Sequence, residues 1–282
     1  MPLTNYHTHS EFCDGQGELE LYVKEALSQG FQAIGFTSHA PLPFYKYYAM
    51  PQERLQDYCS SVQELKTKYR DRIQIYLGLE IDYIPGVIGP SSLHFKALNL
   101  DYTIGSIHLV KNGEPDGYTY TGEFGEEFEE LLHDVYGGDG AKFVRYYYSL
   151  IREMVREHKP EIIGHLDLIK NVNGGTTIYF DETADWYKEE VLKTLYVIAD
   201  SNAVLEVNTG GIARGYVKYP YPASWIIEEC HKLGIPIMLN SDAHNTNHLS
   251  TYFAEAKLIL KDAGYTKQRI IINEEWVNVD FE

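Results

Sequence analysis

Short apolar runs that each stop on a histidine or a carboxylate punctuate this chain, and no other feature constrains its fold as tightly. The first is Leu3-Thr4-Asn5-Tyr6-His7-Thr8-His9. Side chains at i and i+2 of an extended strand share a face, so His7 and His9 project together where the strand ends. The device returns in Ala33 to His39, in Ile73 to Glu80, in Asp101 to His108 and in Glu161 to His165. Near the other end of the chain, Asp242-Ala243-His244 follows the run Ile235 to Asn240 with the same i, i+2 spacing. The two ends therefore look built to meet at one site.

Between these strands the apolar spacing becomes helical. Helices are expected from about Glu18 to Gly30, Gln52 to Tyr69, Ala141 to His158, Glu182 to Asp200, Ser224 to Leu233 and Leu249 to Ala263, with a terminal strand near Ile270-Ile271-Ile272. Strands alternating with helices indicate an α/β chain with a parallel sheet, and roughly seven such units favour a closed barrel over an open doubly wound sheet. Strand ends of a barrel converge on one face, where a site is expected. The 282 residues, 44% of them hydrophobic, suit a single domain of this kind spanning 1–282. An acidic insertion at about 114–139, rich in Glu and Gly, is expected to form an exposed lobe or lid. The loop Pro41 to Pro51, with Phe44, Tyr45, Lys46, Tyr47 and Tyr48, either covers the site or packs beside it.

The formal charge of −17 opposes a broad surface for nucleic acid, whose binding depends on phosphate neutralisation. A small anion can still bind where cations inside a pocket outweigh the surface. Cys13, Cys59 and Cys230 are far apart and in no C-x-x-C arrangement, which argues against a disulfide framework and a zinc knuckle. No run of about 18 apolar residues and no basic-then-apolar N-terminus occurs, so neither a membrane span nor a signal peptide is expected and the chain reads as cytoplasmic. No P-loop, G-x-G-x-x-G or G-x-S-x-G motif offers a competing cofactor or triad.

The candidate ligands are His7, His9, Asp14, His39, Glu80, His108, His165, Asp242 and His244. A single histidine at a strand end is ordinarily structural or solvated; this many at converging ends point to metal. Imidazole and carboxylate suit zinc, manganese or iron, and the lack of cysteine ligands opposes a closed structural zinc site. The set exceeds one ion, so two or three are expected, with Glu80 or Asp242 suited to bridging. Clustered divalent ions lower the pKa of water, orient an ester and neutralise attacking and leaving oxygens, which is metal-assisted hydrolysis.

In order and relative spacing, His7-Thr8-His9, Asp14, Thr37-Ser38-His39, Glu80, Gly105-Ser106-Ile107-His108, Gly164-His165-Leu166-Asp167 and Ser241-Asp242-Ala243-His244 resemble the polymerase-and-histidinol-phosphatase (PHP) superfamily of metal-dependent phosphoesterases. The resemblance spans nearly the whole chain and is greatest to the stand-alone histidinol-phosphate phosphatases. It implies a distorted (β/α)7 barrel with three metals. It also implies that His7, His9, Glu80 and Asp242 hold the first metal, that Glu80, His108 and His165 hold the second, and that Asp14, His39 and His244 hold the third. Some members carry histidine where this chain has Asp14, which weakens the third assignment. The implied reaction is hydrolysis of L-histidinol phosphate to L-histidinol and phosphate, a step in histidine biosynthesis, with Glu80 and Asp242 as catalytic carboxylates.

Arg214 is the candidate cation for the phosphate, because it follows a strand end in Thr209-Gly210-Gly211-Ile212-Ala213-Arg214 and guanidinium suits bidentate phosphate binding. His39 and His244 are expected to contact the same group. Asp167 is expected to orient His165 or its neighbours. Glu114, Asp116, Asp167 and the tyrosines of the Phe44 to Tyr48 loop are candidates for the histidinol amine and imidazole. The proton for the leaving alkoxide can come from water on a metal or from a side chain. An alternative substrate within the superfamily is another small phosphate ester, a nucleotide or phosphotyrosine; a non-catalytic accessory domain would be expected to lose several ligands.

Overall fold

Strands that stay apolar on both faces need cover on both sides, which a parallel sheet wrapped in helices supplies. The computed structural model describes residues 3–44, 46–115, 117–175 and 177–281. Its strands are β1 (Leu3–Asn5), β2 (Phe31–Phe36), β3 (Gln74–Asp82), β4 (Tyr102–Ser106), β5 (Leu109–Lys111), β6 (Tyr118–Tyr120), β7 (Ile162–Ile163), β8 (Val204–Asn208), β9 (Ile237–Asn240), β10 (Lys267–Ile272) and β11 (Glu275–Asp280). The α-helices are α1 (Leu19–Ser28), α2 (Leu55–Tyr69), α3 (Leu93–Lys96), α4 (Glu126–Tyr136), α5 (Gly140–Glu157), α6 (Asp185–Ala199), α7 (Gly210–Ala213), α8 (Ser224–Lys232) and α9 (Phe253–Asp262). The expected helices fall within a few residues of these bounds.

Seven strands form one sheet in the order β1-β2-β3-β4-β7-β8-β9, each pair parallel. The ring closes just past the first and last strands: Thr8 bridges Ala243, the His9 amide donates to the Ala243 carbonyl at 2.9 Å, and the Ala243 amide returns to His7 at 3.2 Å. The result is the expected (β/α)7 barrel. Closure is made by the histidine-bearing segments themselves, so the two ends of the chain meet where their candidate ligands lie.

Tyr102 fills the barrel interior. Its hydroxyl reaches from β4 to the Tyr6 carbonyl at 2.6 Å, near the opposite side of the ring. Gly35 makes this possible, since a Cβ there would sit 2.0 Å from that hydroxyl oxygen. Gly35→Ala is expected to destabilise the protein by about 1–3 kcal/mol, the usual cost of overpacking a core, read as a lower midpoint in denaturant. An unchanged midpoint would show that Tyr102 moves freely.

Two segments differ from expectation. The terminal stretch around Ile270 is a strand, but it pairs antiparallel with β11 outside the ring. This hairpin packs on the interior cluster through Ile270 and Ile271 and accepts the Tyr6 hydroxyl on the Ile271 carbonyl at 2.5 Å. The acidic insertion holds the antiparallel hairpin β5–β6 and α4. Phe128, Leu131, Leu132 and Tyr136 of α4 join the core that includes α5, while Glu126, Glu127 and Glu129 occupy its first turn, where the helix dipole favours negative charge. Glycines on either side, Gly122, Gly125, Gly137 and Gly138, confine the helix signal there to a short stretch.

Candidate metal centre

The strand ends and the turn after β1 bring the nine ligand-type side chains together: Asp14, His39, Glu80, His108, His165, Asp242 and His244 line one cavity of about 270 Å³, and the fully buried His7 and His9 lie behind Glu80 and Asp242. Glu80, near the end of β3, lies at its centre. One carboxylate oxygen is 3.3 Å from His7 Nε2, 3.5 Å from His9 Nε2 and 3.0 Å from His39 Nδ1. The other is 2.9 Å from His165 Nε2 and 3.4 Å from His108 Nε2. Asp242 lies 3.1 Å from His9 Nε2 and 3.4 Å from His244 Nδ1, and His244 Nε2 is 3.3 Å from Asp14. Asp242 is held at φ 49°, in the left-handed region that Asp tolerates better than most residues and that often marks functional sites.

Three sets of ligand atoms gather within 4.8 Å of one another: His9, Asp14, His39 and His244; His7, His9 and Asp242; and His39, Glu80 and His108. His9 and His39 each belong to two sets, so the clusters are contiguous.

Divalent cations fit this cage. His7 Nε2, His9 Nε2, His39 Nδ1 and the Glu80 oxygen facing them are buried without a hydrogen-bond partner. Such groups are costly to leave unpaired, and lone pairs converging on the same space are what a cation satisfies. His108 Nε2 and His165 Nε2 face each other at 3.1 Å and both face Glu80. Two ring nitrogens at that distance cannot both carry hydrogen toward each other.

Charge points the same way. Burial opposes ionisation of Glu80, but His7, His39 and His108 outweigh it and hold the carboxyl well below its ordinary range. Burial likewise opposes the Asp242 charge and is overcome by Arg214 and His7. For Asp14 the same opposition is overcome by His39 and His244. His39 is pulled down by burial yet lifted to about 10 by Glu80 and Asp14, whereas burial with His244 and His39 nearby pushes His9 down. A phosphate ester entering this carboxylate-rich cage without cations would meet repulsion.

Surrounding groups fix the imidazoles. His108 Nδ1 faces Asp82 at 3.0 Å, and Asp82 also accepts the Tyr48 hydroxyl at 3.0 Å. The Tyr48 ring packs edge-on against His39 and the Tyr120 ring stacks on His108. Tyr48 is thus a buried packing residue, while Tyr47 from the same loop lines the mouth. Tyr45 and Asp116 lie outside the described residues, and Glu114 is exposed on the β5–β6 turn.

Arg214 enters from the end of α7. Its Nη2 donates to Asp242 Oδ2 at 2.8 Å and Nη1 to the Asp242 carbonyl at 3.0 Å, and it shares the cavity wall with His39 and His244. The preceding glycines allow close approach: a Cβ on Gly210 would lie 2.9 Å from that of Asp242, and one on Gly211 would lie 2.5 Å from the Tyr221 ring.

Asp167 does not orient His165. Its carboxylate instead accepts Lys170 Nζ at 3.1 Å and the Ala223 amide at 2.9 Å, because the short helix after His165 turns it away from the cage. The partner that sequence reasoning missed is Glu206 on β8, fully buried, with Oε1 2.7 Å from His7 Nδ1. Its signal was available as a lone carboxylate inside an apolar strand, Val204-Leu205-Glu206-Val207, a placement rare without a partner.

Residues 5–210 match the family model described as "PHP domain". A protein named "Probable histidinol-phosphatase" from Deinococcus radiodurans is 29% identical over 265 residues, covering 93% of this chain and 94% of its own. The histidinol-phosphatase of Bacillus subtilis is 29% identical over 266 residues, covering 89% and 97%. The fold is shared with the histidinol phosphate phosphatase of Lactococcus lactis, crystallised with zinc, L-histidinol and phosphate. That structure has a TM-score of 0.70 at 21% identity, covering 97% of this chain and 98% of the other.

Proposed function

The chain belongs to the PHP domain family, and from that premise we propose that it is a metal-dependent phosphatase hydrolysing L-histidinol phosphate to L-histidinol and inorganic phosphate. The observation that carries the reading is a complete cage of nine ligand-type side chains with Arg214 on its wall, in a chain matched almost end to end by histidinol-phosphatases. Two or three divalent ions, zinc, manganese or iron, would be held by His7, His9, Glu80 and Asp242, by Glu80, His108 and His165, and by Asp14, His39 and His244. Bound there, they supply Lewis acidity toward the phosphoryl oxygens and a water acidic enough to attack at neutral pH.

The chain's own residues do the rest. Arg214 carries a fork of donors whose charge is secured: burial pulls its pKa down, but Asp242 more than restores it. That fork stabilises the charge developing on the phosphoryl group in the transition state. His39 and His244 border the same space. Asp82 and Glu206 each take a ring N–H and so aim the opposite nitrogen into the cage. Tyr48 and Tyr120 cover the imidazoles and keep water away from their backs.

The leaving group carries an ammonium and an imidazole. Among the described residues of the cavity, Glu123 is a carboxylate outside the cage, and Tyr47, Tyr216 and Asn171 add aromatic faces and an amide. Glu123 suits the ammonium and the tyrosines suit the imidazole ring. The three cysteines are unbridged, in keeping with a reducing cytoplasm.

The deciding experiment is phosphate release by metal-loaded protein from L-histidinol phosphate, nucleotides, phosphotyrosine and 4-nitrophenyl phosphate. The histidinol ester is expected to give the highest kcat/KM, with esters lacking an ammonium penalised mainly in KM. Faster turnover of a nucleotide or phosphotyrosine would overturn the substrate and leave the cage intact.

A further inference from the structure

Glu206 is a carboxylate buried in a barrel wall with no lysine or arginine ion-paired to it among the described residues, an arrangement that is costly unless every acceptor position is filled. Here they are filled. Oε1 takes His7 Nδ1 at 2.7 Å and Asn240 Nδ2 at 3.1 Å, and Oε2 takes the His165 amide at 3.0 Å and Asn208 Nδ2 at 2.9 Å. Four donors from four strand ends leave no position for a proton on the carboxyl. His7 must then carry a proton on Nδ1, which leaves Nε2 as the nitrogen offered to a cation; it faces Glu80 at 3.3 Å and Asp242 at 3.6 Å with no hydrogen bond of its own. The same carboxylate pins the backbone of His165, whose Nε2 meets the other oxygen of Glu80. Asn208 also approaches Asp242 Oδ2 at 3.3 Å.

We propose that Glu206 is a positioning residue that presets two separate metal positions, fixing the His7 tautomer for one and holding His165 in place for the other. The inference rests on the cage but not on the identity of the ester, so its test involves no substrate.

In Glu206→Gln the side chain keeps its shape, but one end becomes an NH₂ that must face a pair of donors, either His7 and Asn240 or His165 and Asn208. Zinc affinity, measured by competition with a chromophoric chelator, is expected to fall about 10–100-fold, the usual effect of losing such a partner. The loss is expected at the two positions that take His7 and His165, with the Asp14, His39 and His244 position changed least. Affinity within twofold of the parent at every position would overturn the proposal, even if the variant melts earlier, because a merely structural carboxylate would lower stability without moving the metal constants. If the variant fails to fold, the unaltered zinc-loaded protein provides the test through long-range ¹H–¹⁵N correlation of its histidines. His7 is expected to carry hydrogen on Nδ1 with Nε2 bare; hydrogen on Nε2 would refute the assignment.

Discussion

Glu80→Gln is expected to cost at least about a thousand-fold in kcat while leaving the circular dichroism spectrum unchanged. The glutamine fits the same space, so the barrel is not asked to repack. What it removes is a carboxylate within 3.5 Å of five imidazoles, His7, His9, His39, His108 and His165. Its amide would put hydrogen toward lone pairs that need a cation. Elemental analysis after dialysis is therefore expected to find at least one fewer metal per chain, and activity should return only in part when metal is added in excess. Full metal content together with activity within tenfold of the parent would mean that Glu80 is not shared between the clusters, and the reading of the cage would fail.

Arg214→Lys is expected to lower kcat/KM by about 100- to 1000-fold, the scale seen when one donor to a transition-state oxyanion is lost. Lysine keeps a positive charge near Asp242, so metal content should change little. It loses the planar fork that here donates to both the carboxylate and the carbonyl of Asp242 from one side chain. The two variants are thus separable: excess metal should help Glu80→Gln and do nothing for Arg214→Lys. An Arg214→Lys enzyme with unaltered kcat/KM would remove the guanidinium from the phosphate site and leave that role to His39 or His244.

The sequence alone determined the periodic skeleton and the inventory of candidate ligands. Strands buried on both faces must be apolar throughout, so an imidazole or carboxylate that ends one stands out against its neighbours, as at His39, Glu80, His108 and His165. The i, i+2 pairs at His7 and Asp242 follow from strand geometry, which is local. Only tertiary structure decided who supports those ligands. Asp167, two residues from His165, was the natural candidate by proximity in the chain, yet the turn after β7 sends it to Lys170 and Ala223. The carboxylate that reaches both His7 Nδ1 and the His165 amide is Glu206, 199 residues from His7 and 41 from His165. Hydrogen bonds across a barrel depend on strand order and register, and these are set by the packing of the whole ring rather than by any stretch of it. For the same reason the first and last ligand pairs share one cage only because Thr8 and Ala243 close the sheet between them.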